Sequence, residues 1–179
     1  MRSVRLVVVL SLLLSSGWIF AGGIEGTVIE VADGDTLTVV DSEKRRHRIR
    51  LVGIDAPEMK QVFGPESKRH LSDLVLNRAV VMVDKKQDGN GHDIAKLMVS
   101  DPNCNHPACT KIHDVGQMQL MAGMAWWVRG RPYEQSDSDR GYYEFDEFEA
   151  RAKLKGLWRD DHAVPPWEWR KRETKSWKS

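Results

Sequence analysis

Thr27-Val28-Ile29-Glu30-Val31-Ala32-Asp33-Gly34-Asp35-Thr36-Leu37-Thr38-Val39-Val40 is the stretch whose reading decides the fold. Its two ends are rich in β-branched residues and its middle is a turn set, so it predicts a hairpin. Further on, His47-Arg48-Ile49-Arg50-Leu51-Val52 alternates charged and apolar positions before becoming wholly apolar. That pattern suits a third strand passing from a solvated face into a core, and the three together predict a meander.

Beyond the meander, Pro65 suits the first turn of a helix, Glu66 its positive end, and Leu71, Leu74 and Val75 fall on one face. Ala79-Val80-Val81-Met82-Val83 and Ile94-Ala95-Lys96-Leu97-Met98-Val99 read as two more strands, with Asp88-Gly89-Asn90-Gly91 as a turn between them. A second helical stretch carries Val115, Met118, Met121, Ala122 and Ala125 into Trp126-Trp127, and its methionines and tryptophans are read as core. A third helix is expected around Tyr142–Leu154 with Phe145, Phe148 and Ala152 on one face, and the acidic flank from Glu134 to Glu149 is read as solvated. The expected fold class is α+β, a five-stranded Greek-key barrel of the OB type with about three helices, filling residues 22–160. Barrels of this type often bind oligonucleotides on one face, although fold alone does not give function.

The 179 residues suffice for one ordinary domain plus short extras. With 27 basic and 26 acidic residues the net charge is +1, which excludes a whole-molecule field drawing the protein onto a polyanion. Any nucleic-acid contact must come from local charge placement. Arg2 and Arg5, the apolar run over residues 6–20, and Ala21-Gly22-Gly23 read as a secretory signal peptide spanning 1–21. An uncleaved anchor is the alternative, but the run is shorter than the roughly 20 residues that cross a hydrocarbon core. The expected product is exported, periplasmic or secreted, near neutral, and without stable membrane association after cleavage.

In such a compartment the two cysteines, Cys104 and Cys109, are expected to form a disulfide closing one short loop. Cys104, His106, Cys109 and His113 are also zinc-ligand types, but their spacing matches no closed zinc module. The tail, residues 161–179, interleaves Trp167 and Trp169 with Arg170, Lys171 and Arg172 after Pro165-Pro166. It could stack bases and neutralise phosphates, or pack its tryptophans on the barrel, and both readings stay open.

Two motifs concentrate hard oxygen ligands: Asp33-Gly34-Asp35-Thr36 in the hairpin turn, and Asp55-Ala56-Pro57-Glu58 after the third strand. Oxygen donors without nearby His or Cys suit calcium or magnesium. Arg50, five residues before Asp55 on the same strand, could bring a guanidinium to the same rim. A cation paired with a guanidinium suits a phosphodiester oxygen that gains charge in the transition state, and Glu58 could take a proton from water.

These residues resemble the staphylococcal nuclease, or thermonuclease, family. The resemblance rests on Asp33-Gly34-Asp35-Thr36, Arg50-Leu51-Val52-Gly53-Ile54-Asp55-Ala56-Pro57-Glu58, Phe63-Gly64-Pro65-Glu66, and Glu149-Ala150-Arg151-Ala152-Lys153 with Gly156-Leu157-Trp158. Each motif alone is weak, but in this order they cover roughly residues 24–160. The resemblance implies calcium held by Asp35, Asp55 and the backbone carbonyl of Ala56, which replaces the family's usual Thr. It implies Glu58 as general base, Arg50 on the phosphate, and cleavage of DNA and RNA to a 3′-phosphate and a 5′-hydroxyl. A monomer is expected.

One position departs from that pattern. In Asp88-Gly89-Asn90-Gly91-His92, His92 stands where the family has a second phosphate-binding Arg. Histidine cannot make the bidentate fork but can donate a proton to a leaving oxygen. Losing such a contact costs about 2–4 kcal/mol. Lys96, Arg129 or Arg131 are the sequence's alternative sources of the charge. The segment Asp101–Asp114 is longer and richer in Cys and His than the resemblance leads one to expect. A non-catalytic nucleic-acid-binding barrel and a calcium-stabilised protein with no nucleic-acid role are the competing readings.

Overall fold

The computed structural model describes residues 23–88, 92–101, 104 and 109–176. The expected signal peptide at 1–21, the expected turn at Gly89-Asn90-Gly91, and His106 lie outside the described residues.

The predicted hairpin is β1 (Ile24–Val31) and β2 (Thr36–Asp41), and β3 (Arg46–Leu51) completes the meander. A two-residue strand, β4 (Ile54–Asp55), leads to α1 (Gly64–Val75), then to β5 (Ala79–Gln87) and β6 (Asp93–Ser100). After these come β7 (Lys111–Asp114), α2 (Val115–Met121), β8 (Trp126–Trp127), α3 (Asp137–Ala152) and α4 (Pro166–Ser176). The sheet order is β3-β2-β1-β5-β6-β7, and β3 also pairs with β6. This second pairing is parallel, Arg50 facing Ile94, and it closes five strands into a barrel of the expected OB type.

Period-two alternation explains the interior. Val28, Leu37, Val39, Ile49, Leu51, Val80, Met82, Leu97 and Val99 are all buried in one cluster, and α1 adds Leu71 and Val75 to it. On β3 the same alternation turns Arg48 and Arg50 outward between buried Ile49 and Leu51. Burial of these side chains is the main favourable term of the fold, on the order of 1.5–3 kcal/mol for each large aliphatic group.

Several expectations need correction. Part of the tail forms α4, so the described residues hold four α-helices where about three were expected. Trp126 and Trp127 form β8, paired with Asp55 and Ile54, while Met121 lies half exposed rather than in the core. The inward face of α3 is Tyr143, Glu147 and Ala150, whereas Phe145 and Phe148 are 60% and 64% exposed. The helix turns this way because Glu147 is tied down inside: it accepts from the Trp127 backbone at 3.1 Å and from Arg129 at 2.8 Å. The acidic flank is therefore not wholly solvated, since Glu134 and Glu147 are both buried. In the cysteine-rich segment, Cys104 and Cys109 form the expected disulfide, and β7 follows it along the edge of β6.

Candidate active site

The turn after β1 is built by Asp33, whose Oδ1 accepts from the backbone N–H of Asp35 at 3.0 Å and of Thr36 at 2.8 Å. This Asx-type turn is the local chemistry for which Asp-Gly-Asp is suited. Gly34 is needed because a Cβ there would meet the Cβ of Ala56 at 2.6 Å and that of Ser67 at 2.8 Å. Gln119 holds the turn from below, its Nε2 donating to the Gly34 carbonyl at 2.6 Å.

The two acidic motifs are joined directly. The Ala56 backbone N–H donates to Asp35 Oδ2 at 2.8 Å, and the Thr36 hydroxyl donates to Asp35 Oδ1 at 2.8 Å. Asp55 sits on β4, pinned by pairing with Trp126 of β8. Glu58 follows, its backbone N–H donating to Gln61 Oε1 at 2.8 Å. Asp33, Asp35, Asp55, Glu58 and Arg50 line a single cavity of about 330 Å³, with Ala56, His92, Arg131 and Arg170 also in its wall. A neighbouring cavity of about 480 Å³ shares Thr36, Arg50 and His92 with it and adds Arg48, so basic side chains continue outward from the acidic seat.

Burial dominates the electrostatics of Asp35. Loss of water, followed by repulsion from Asp33 and Asp55, pushes its carboxyl up to about 8. Such a cluster calls for positive charge, and its carboxylates and the Ala56 carbonyl are hard oxygen donors. Among the described residues no group of three His, Cys, Asp or Glu side chains is poised to hold an ion by itself. Asp35, Asp55 and the Ala56 carbonyl would therefore supply part of a coordination shell, with water or substrate completing it. The fit is supported by a cation of the chain itself: Arg170 of α4 places its guanidinium on Asp55 at 2.7 Å and 3.1 Å and on Glu58 at 2.6 Å.

Arg50 reaches the cavity because Glu134 holds it there. Its Nη2 donates to Glu134 Oε1 at 2.7 Å, while Glu134 Oε2 accepts from the Gly53 backbone at 3.1 Å. The Glu134 side chain is fully buried. Gly53 has φ of 71°, a left-handed conformation that leaves room for Gln135 where a Cβ would stand. The His92 ring is 70% exposed, and its Nδ1 lies 3.3 Å from Asp88 Oδ2.

The proposed substitutes for the missing Arg separate. Lys96 is spent on Asp139 at 2.6 Å, and Arg129 lies over the Trp127 ring at 4.4 Å while bound to Glu147. Only Arg131 of those three lines the cavity. Sequence reasoning missed Glu134 and Arg170. For Arg170 the signal was the basic, tryptophan-rich tail; for Glu134 nothing local distinguishes it from its acidic neighbours.

Comparison with known proteins assigns the family. Residues 48–160 match the family described as staphylococcal nuclease homologue. An uncharacterized endonuclease of Escherichia coli O157:H7 is 36% identical over 169 residues, which is 94% of this chain and 99% of that protein. Protein ParB of Escherichia coli is 34% identical over 148 residues, 83% of this chain and 80% of its own. Micrococcal nuclease of Shigella flexneri is 34% identical over 146 residues, 82% and 80% of the two chains. By fold, by motif order and by these matches, the chain belongs to the staphylococcal nuclease homologue family.

Proposed function

We propose that this protein is a calcium-dependent nuclease that hydrolyses phosphodiester bonds of DNA, RNA or both, leaving 3′-phosphate and 5′-hydroxyl ends. The observation that carries the reading is the convergence of Asp35, Asp55, Arg50 and Glu58 on one cavity from separate parts of the chain. Names of the relatives, a micrococcal nuclease and an endonuclease among them, support the same class of reaction.

In this reading Asp35, Asp55 and the Ala56 carbonyl hold the ion. Calcium bound there supplies Lewis-acid stabilisation of charge on the phosphoryl oxygens. Arg50 donates to a non-bridging oxygen, with Glu134 keeping the guanidinium in place. Glu58 accepts a proton from water as that water attacks phosphorus. The bond from phosphorus to the 5′ oxygen breaks, and His92 gives the departing oxygen a proton. The signal-peptide pattern of residues 1–21 supports export as the accompanying proposal, and a monomer is proposed with it.

The test is digestion of end-labelled DNA and RNA by the purified mature protein, with calcium and then with chelator. Cleavage that needs calcium and leaves 3′-phosphate ends is expected. Retarded migration without cutting would favour a binding barrel and sink the enzymatic reading.

Glu134 is a positioning residue, and Glu134→Gln should lower kcat roughly ten- to hundredfold through displacement of Arg50. Because both changes act through one guanidinium, the double variant with Arg50→Ala should be no slower than Arg50→Ala alone. Additive losses would separate Glu134 from Arg50.

A further inference from the structure

Helix α4 carries Arg170 to the wall of the acidic cavity, and contacts that do not involve Arg170 help to seat it. Gln61 Nε2 donates to the Val164 carbonyl at 2.8 Å, and the same Gln61 accepts from the Glu58 backbone. Pro166 is buried, and Trp169 faces a crevice lined by Gln61, Phe63, Trp126 and Leu157. On this base Arg170 extends to Asp55 and Glu58, its side chain still 45% exposed.

Charge balance makes this arrangement informative. An anionic phosphate entering the cavity meets Asp33, Asp35, Asp55 and Glu58. Arg50 and Arg131 share Glu134, at 2.7 Å and 3.5 Å, and Asp88 lies 4.0 Å from Arg50, so these two guanidiniums are already matched by two carboxylates. A divalent ion seated on Asp35 and Asp55 offsets those two carboxylates and no more, so Glu58 and the phosphate would still repel each other. Seating that ion also takes Asp55 away from Arg170. A guanidinium matches phosphate and carboxylate forks equally well, and its long side chain can turn while Pro166 and Trp169 keep the helix docked.

We propose that Arg170 is a further substrate-contacting residue: a second guanidinium for the scissile phosphate, which rests on Asp55 and Glu58 when no divalent ion is bound. The proposal builds on the nuclease reading above.

The experiment uses the full mature chain as wild type, Arg170→Ala and Arg170→Lys. Cleavage of DNA is measured at saturating calcium, and calcium binding is measured by titration calorimetry without substrate. Arg170→Ala should lose about 10²-fold in kcat, the scale of one transition-state donor, and Arg170→Lys should recover part of it. Arg170→Ala should also bind calcium several-fold more tightly than wild type, since the competing cation is gone. An unchanged or higher kcat in Arg170→Ala, beside an active wild type, overturns the proposal and leaves Arg170 as a plug. Unchanged calcium affinity overturns its resting place on Asp55. A wild type that binds calcium but cuts nothing removes the nuclease reading itself, and the proposal with it.

Discussion

Glu58→Gln is expected to lower kcat by a factor of about 10²–10⁴, the range a positioned general base contributes. The substitution is nearly isosteric. It leaves intact the bond from the residue 58 backbone to Gln61, which shapes the turn, and it still offers Arg170 an oxygen where Glu58 Oε1 now accepts at 2.6 Å. What disappears is the ability to take a proton from water. Calcium affinity should change little, because Asp35, Asp55 and the Ala56 carbonyl carry the ion in this scheme. Single-turnover cleavage, with a melting curve as the fold control, decides the matter. Near wild-type rates in a well-folded Glu58→Gln protein would take that carboxylate out of the mechanism.

Asp35→Asn should do two things of opposite sign: abolish calcium-dependent cleavage and stabilise the calcium-free protein at alkaline pH. The Asp35 carboxyl titrates at about 8 in the folded chain, against 3.8 for an ordinary Asp. A carboxyl raised in this way favours folding in its protonated form. Its contribution is fully present below the usual carboxylate range and is lost as pH rises through about 8. Removing the charge eliminates that loss, so the gain in melting temperature should be larger at pH values near 8 than near 5. The cost is one acceptor, because Ala56 N–H and the Thr36 hydroxyl both donate to Asp35 and an amide has a single oxygen. Calcium should raise the melting temperature of wild type at alkaline pH and leave that of Asp35→Asn unmoved. A variant whose melting temperature shows the wild-type pH dependence would mean that Asp35 is not the strained carboxyl.

The barrel was legible because its signal is local. β-Branched runs, period-two alternation on Arg48-Ile49-Arg50-Leu51 and an Asp-Gly turn each act over a few residues, and the strands formed where they predict. The two acidic motifs were legible for the same reason. Their meeting was expected from the family resemblance rather than from local pattern, since it depends on a bond from Ala56 to Asp35, 21 residues apart in sequence. Distance hid the rest of the site. Glu134 lies 84 residues from the Arg50 it orients, and Arg170 lies 115 residues from Asp55. On α3, apolar spacing pointed to Phe145 and Phe148, but the ion pairs of Glu147 with Arg129 and Arg151 fixed the opposite face inward. An apolar stripe ranks helix faces by hydrophobicity alone, and a buried carboxylate with its own cations can outweigh it.

The parallel seam between β3 and β6 has a consequence for what the groove can grip. Where Ile49–Leu51 run beside Asp93–Ala95, the peptide rungs bordering Arg50 are occupied by one another. A polymer lying along that wall finds few vacant amides with which to extend the sheet, so a polypeptide gains little there by strand addition. In the nuclease reading proposed above, purchase would come from Arg48, Arg50 and their neighbours, which meet the charged backbone of a nucleic acid rather than its base edges.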